Sequence, residues 1–209
     1  MRAMFLATSR VALDLLGRPE VGKAWDEPSA LAEFTVRGLA GHLTRAVGSV
    51  EAYLDRDEPP ADQVIDAAHY YAAALATVDI TSDQHAAIRQ RGEEAAAGGH
   101  GRLVQGFAAQ LDRMAVRLPR EAPGRRVQVF GDLVLVLDDY LLTRLIELSV
   151  HMDDLAVSVG VPPPDLPPGA YEEAIACLVD VGRARHGDLA VLRALSRRER
   201  DGVDALRVL

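Results

Sequence analysis

The sequence predicts an all-α protein built as a helical bundle, and three observations carry that expectation. Ala and Leu are abundant while aromatics make up only 5% of the 209 residues, a composition that favours helix. Apolar residues recur at steps of three and four over long segments, as in Val36, Leu39, Leu43, Val47, Val50 and Leu54. The strong breakers, Pro59-Pro60, "AAAGGHG" and "GVPPPDLPPG", fall between such segments and not inside them.

Taken in order, residues 3–16 read as a first helix stopped by Gly17. A loop with Trp25, Pro28 and Ser29 follows. Residues 35–54 form the second helix with Thr35 as N-cap, and Gly38 and Gly41 would let a neighbouring helix approach closely. Residues 61–78, 82–97 and 101–118 read as further helices, the last ended by Pro119. Val127 to Val136, around Gly131-Asp132, fit one short β-hairpin. Asp138 is placed to cap a long helix over 139–159, and Gly160 to end it. Five prolines make residues 160–169 a linker. Beyond it, 170–186 is one helix and 188–207 another, or two shorter pieces. The expected division is a bundle over 1–160 and a linker with a helical extension, packed on the bundle, over 161–209.

Charge and cysteine content exclude several classes. The net charge of −8 argues against nucleic-acid binding, which needs clustered Lys and Arg; the basic run "RALSRRER" reads as a solvated helix face. The single cysteine, Cys177, rules out an intrachain disulfide or a multi-cysteine metal site and reads as a small core residue. No apolar stretch reaches about 18 residues, and the apolar run before Thr8 is too short for a secretory leader. A cytoplasmic protein, monomeric or homodimeric and without membrane or nucleic-acid partners, is the expectation.

The segment "LTRLIELSVHMDDLAVSVG" raises the functional question. At about 100° per residue, Tyr140, Arg144, Glu147, His151 and Asp154 share one narrow arc, while most of the remaining circumference is apolar. One reading is a core helix showing a thin polar stripe to water, with Glu147 and His151 as an ordinary i,i+4 pair. The other is metal binding. A carboxylate and an imidazole one turn apart reach the same ion, and a third ligand would complete a His₂Glu set that zinc accepts with positions left open. His42, His69, His85, His100 and His186 are the histidines available for that role. His42 flanks the apolar stripe of residues 35–54. His69 sits on a less defined face, and His85 and His100, in polar or Gly-rich surroundings, are expected to be exposed. His186 lies at a helix C-terminus, where a cation is favourable anyway.

Two stretches resemble a known family. "WDEPSALAEFTVRGLAGHLTRAV" and "YLLTRLIELSVHMDDLA" are similar to the early and late segments of mycothiol-dependent maleylpyruvate isomerases and their relatives, which belong to the DinB-like four-helix metal-binding bundles. The resemblance spans roughly residues 5–160. It implies His42, Glu147 and His151 as metal ligands, and places Arg144 and Asp154 around them, to orient ligands or bind an anionic substrate; Arg144 as a structural ion-pair partner stays equally open. Departures are Phe34 where Trp is usual, Gly38 where an acidic residue is common, and helical residues after the linker where the isomerases carry an α/β domain.

The function implied is that of a zinc-dependent (or other divalent-metal) thiol transferase or isomerase-like enzyme. It would join a low-molecular-weight thiol to a small electrophilic molecule. Mycothiol is the candidate thiol, compatible with the Ala-, Arg- and Val-rich, Lys-poor composition of a GC-rich genome. A metal that activates water for hydrolysis, a non-catalytic metal-binding bundle with a structural or partner-binding role, and a metal-free hydrogen-bonded network are the alternatives.

Overall fold

The computed structural model describes residues 1–60, 62–75 and 83–196, together with 199, 206 and 208. The elements run α1 (Arg2–Leu16), α2 (Pro19–Lys23), α3 (Val36–Leu54), β1 (Val64–Ile65), α4 (Ala67–Leu75), α5 (Asp83–Ala96) and α6 (His100–Arg117). They continue with β2 (Arg126–Gln128), β3 (Val134–Val136), α7 (Leu137–Val159), α8 (Ala170–His186) and α9 (Asp188–Ser196). The fold is all-α and DinB-like, with extra C-terminal helices and one small sheet.

The four long helices α1, α3, α6 and α7 bury one shared core. Phe5 and Leu15 meet Leu39, Leu43 and Val47, Phe107 and Met114, and Leu141, Leu148 and Leu155 there. A second apolar cluster joins Tyr71 of α4 and Ile146 of α7 to Ala174, Cys177 and Val181 of α8. Helix α7 is therefore packed on two sides, which is why it is apolar over most of its circumference. Its remaining arc is the polar row.

Local chemistry sets the ends of the site-bearing helices. Thr35 caps α3, its hydroxyl accepting from the Gly38 amide at 3.0 Å. Gly160 ends α7 in the left-handed conformation at φ 69°. Asp138 does not cap α7: β3 runs directly into the helix, so Val136 takes the N-cap position without a side-chain bond and Asp138 lies in the first turn. The expected hairpin is present as β2 and β3, paired antiparallel with Val127 opposite Leu135. Residues 64–65, expected to be helical, instead form β1, parallel to β3 with Val64 opposite Val134. Two consecutive β-branched residues and an available strand edge outweigh local helix propensity there. Residues 61, 76–78 and 82 of the expected helices, and most of the chain beyond 196, lie outside the described residues.

Helices α3 and α5 cross at three glycines. A Cβ on Gly41 would lie 2.0 Å from the Gly92 carbonyl oxygen, and one on Gly92 would lie 2.4 Å from that of Gly38. Backbone thus meets backbone beside His42. Gly41→Ala is expected to destabilise the protein by about 1–3 kcal/mol, as overpacking does. Gly48→Ala, whose Cβ would come no closer than 3.4 Å to the Gln110 side chain, should be neutral or stabilising by up to about 1 kcal/mol. Denaturant unfolding of the two variants checks this; equal stabilities would contradict the close crossing.

Candidate metal centre

The facing sides of α3 and α7 carry the site, and two contacts set their alignment. His42 Nε2 lies 3.6 Å from Glu147 Oε2, and the Tyr140 hydroxyl donates to Ser49 Oγ at 2.8 Å. His151 Nε2 lies 3.4 Å from the same Oε2. The donor atoms of His42, Glu147 and His151 all fall within 4.8 Å of one another, and no other such group of His, Cys, Asp and Glu converges among the described residues.

The two oxygens of Glu147 have separate surroundings. Oε2 faces both imidazoles. Oε1 accepts from the Tyr71 hydroxyl at 3.0 Å and has the Arg144 guanidinium at 3.9 Å. The Tyr71 hydroxyl also lies 2.9 Å from the Thr143 carbonyl oxygen. His151 Nδ1 pairs with Asp154 Oδ2 at 2.9 Å. A carboxylate on one ring nitrogen sets the tautomer that leaves the other nitrogen's lone pair free for an ion. His42 is held by packing, its ring 4.7 Å from that of His151 and 5.8 Å from that of Phe34. Its Nδ1 is buried without a hydrogen-bond partner.

Arg144 has a 14% exposed side chain, and its guanidinium carbon sits 5.0 Å over the Tyr140 ring. Tyr53 and Tyr70 pack edgewise on Tyr140, and Tyr70 on Tyr71. Four of the five tyrosines in the chain thus gather on this wall. Sequence reasoning placed Tyr140 in the polar row but missed Tyr53, Tyr70 and Tyr71. Their signal was the pairing of rare residues, in "HYYAAAL", with Tyr140 at the head of the polar row.

The other histidines are separate from the centre. His69 is 66% exposed and pairs with Asp66. His186 is exposed. His85 and His100 are half-buried, contrary to expectation: His100 Nε2 reaches the Leu16 carbonyl at 2.7 Å while its ring packs on Trp25. A helix C-terminus whose carbonyls need partners, and an aromatic neighbour, draw that ring inward. Burial pushes the Cys177 thiol up to about 12, so it is not a thiolate near neutrality.

The charges of the centre fit a cation. Burial alone would raise the Glu147 carboxyl, but bonds with His151 and His42 and the Arg144 charge hold it well below its ordinary range. Burial lowers His42, keeping it neutral as a ligand must be. Burial also works against the charge on His151, but Asp154 and Glu147 override it and lift the pKa to about 9, so near neutrality a cation binding here would displace a proton from this ring. Two imidazole nitrogens and an ionised carboxylate are a donor set that zinc and similar divalent ions accept.

An all-α bundle whose facing helices present two imidazoles and a carboxylate at one point is the class that fold and site define. Residues 6–156 match the mycothiol maleylpyruvate isomerase N-terminal domain family, and the chain belongs to that family. No curated protein and no solved structure matched the chain.

In the metal-free protein, the raised His151 pKa adds stability below its unfolded value near 6.5 that is lost as pH rises through about 9. The depressed Glu147 adds stability present above its unfolded value near 4.5 and lost in acid. The contribution of these two groups is therefore largest between the two unfolded values, while His42, lowered by burial, subtracts stability as pH falls through its unfolded value near 6.5. Thermal unfolding of wild type against His151→Gln, in chelator from pH 5 to 9.5, should show their Tm difference shrinking towards pH 9. A difference that grows with pH would contradict the assignment.

Proposed function

We propose that this protein is a zinc-dependent thiol transferase or isomerase-like enzyme that joins a low-molecular-weight thiol of the mycothiol type to a small electrophile. The observation that carries the reading is the convergence of His42, Glu147 and His151 from facing helices on one point. Their family membership supports it, since the family description couples mycothiol with an isomerase. A divalent ion held by these three residues would supply the positive charge that favours thiolate over thiol near neutral pH.

The chain's own residues would do the remaining work. Tyr71 and Arg144 hold Glu147 Oε1, leaving Oε2 to the ion. Asp154 fixes the His151 ring. Arg144 and the tyrosine wall form the side of the site against which an incoming anion would lie. A thiolate sulfur there would attack the electrophilic carbon with its lone pair, and the displaced electrons would pass into the electrophile's conjugated system or onto its leaving group. The linker and C-terminal helices contribute no proposed ligand. They would act as an extension supporting α4 and α7, in a cytoplasmic protein.

Metal analysis of purified, zinc-reconstituted protein tests the reading. His151→Ala is expected to lose most of the zinc with helix content unchanged, because Ala is an excellent helix former. His69→Ala, outside the centre, should keep it. Zinc retained by His151→Ala and lost by His69→Ala would reverse the assignment. A screen of thiols against model electrophiles should then give turnover that requires both zinc and a thiol.

A further inference from the structure

The two C-terminal helices supply no metal ligand, yet they hold five of the ten large apolar side chains that stand exposed among the described residues. Tyr171 and Ile175 lie on α8, and Leu189, Leu192 and Leu195 on α9. Ile175 is 59% exposed and the three leucines 56–62%. The inner face of α8 is already engaged, with Ala174, Cys177 and Val181 in the cluster that holds Tyr71 and Ile146. At about 100° per residue, Tyr171, Ile175 and Val179 form a separate stripe, roughly a third of a turn round the helix from that inner face. The stripe runs into a groove between α8 and α9, lined by Val179, Leu189, Val191, Leu192 and Leu195, with Arg183 and Asp188 as its polar residues. Isolated exposed leucines are ordinary, whereas a contiguous apolar face of this kind marks an interaction surface.

The charges beside the stripe say what fits it. The first turn of α8 is acidic, with Glu172 and Glu173, and its last turn basic, with Arg183 and Arg185. Glu172 and Arg183 stand on the same edge of the stripe, eleven residues apart, which is about 16 Å along the axis. Glu172 has no cationic partner among the described residues. Arg183 has a 51% exposed side chain and donates from Nε to Asp188 and from Nη1 to Asp180, which leaves Nη2 for a further acceptor. A stripe that runs from acid to base complements a reversed copy of itself, the condition for a self-complementary two-fold contact. With the axis near residues 177–178, two α8 helices lie antiparallel. Each Glu172 then meets the partner's Arg183, and each Ile175 lies against the partner's Val179 at the edge of its groove. A parallel pair would instead set Glu172 against the partner's Glu172.

We propose that this protein is a two-fold homodimer joined through α8 and α9, with the two α8 helices antiparallel. The contact is remote from the metal ligands and does not depend on the reading of the metal centre. It gives the C-terminal extension a role of its own, in assembly.

Sedimentation equilibrium of the full chain tests this. The expected mass is twice the 22.5 kDa of one chain. Ile175→Asp should raise the dissociation constant at least about tenfold, equivalent to about 1.4 kcal/mol, with helix content unchanged because the side chain is exposed. Val116→Asp, at a 54% exposed valine of α6, should leave it at the wild-type value. Glu172→Gln and Arg183→Gln should each weaken the dimer about fivefold, since the two-fold repeats each lost pair. The double variant should be no weaker than either single one. Two residues so far apart on one helix couple only if they meet across the contact. A wild type that stays monomeric up to about 0.1 mM overturns the proposal and leaves the face to a different protein. A dimer that survives Ile175→Asp, or losses from Glu172→Gln and Arg183→Gln that multiply in the double variant, overturns it as well.

Discussion

The buried carboxylate of Glu147 is the interaction on which the arrangement of this protein depends. An ionised carboxylate away from water is costly unless both oxygens find partners. Here the partners come from three helices. Tyr71 arrives from α4, His42 from α3, and Arg144 and His151 from α7 itself. Satisfying one charge therefore brings three elements into register around a single point. It also divides the work between the two oxygens, one committed to the protein and one turned towards the imidazoles.

Packing supports that division. Helix α7 is clamped between the main core and the smaller cluster with α8, so it can neither rotate nor slide without exposing leucines on one side or the other. On the opposite flank α3 is held by α5 through direct backbone contact at Gly41 and Gly92. The ligand-bearing turns of both helices thus sit on rigid scaffolding, and rigid supports hold a binding constellation better than loops do.

Much of this was legible in the sequence. The spacing of Arg144, Glu147, His151 and Asp154 showed a polar arc on a buried helix, and resemblance supplied His42. Gly38 and Gly41 announced a close helix crossing, though only the structure identified α5 as the partner. Other features were hidden for physical reasons. β1 is two residues long, and its strand character comes from an edge supplied by a segment far away in sequence; no local window contains that information. Tyr71 is an aromatic in an Ala-rich helix, and only tertiary proximity reveals that its hydroxyl serves Glu147 and not water. Asp138 looked like a cap because the helix was expected from 139, two residues clear of the hairpin, whereas α7 starts at Leu137 directly from β3.

The parallel pairing of β1 with β3 also bears on the order in which the molecule can assemble. β1 immediately precedes α4, which carries Tyr70 and Tyr71, and β3 runs directly into α7, which carries Tyr140 and Arg144. The two strands are separated in the chain by α4, α5 and α6, so joining them closes a long loop, a step that is entropically costly and slow compared with helix formation. Helices α5 and α6 can dock on α3 before that closure. The tyrosine wall, which needs α4 beside α7, spans the same long loop. Chains caught early in folding would hold His42 in place but lack the opposite side of the groove, so metal capture would report the completion of folding and not its onset.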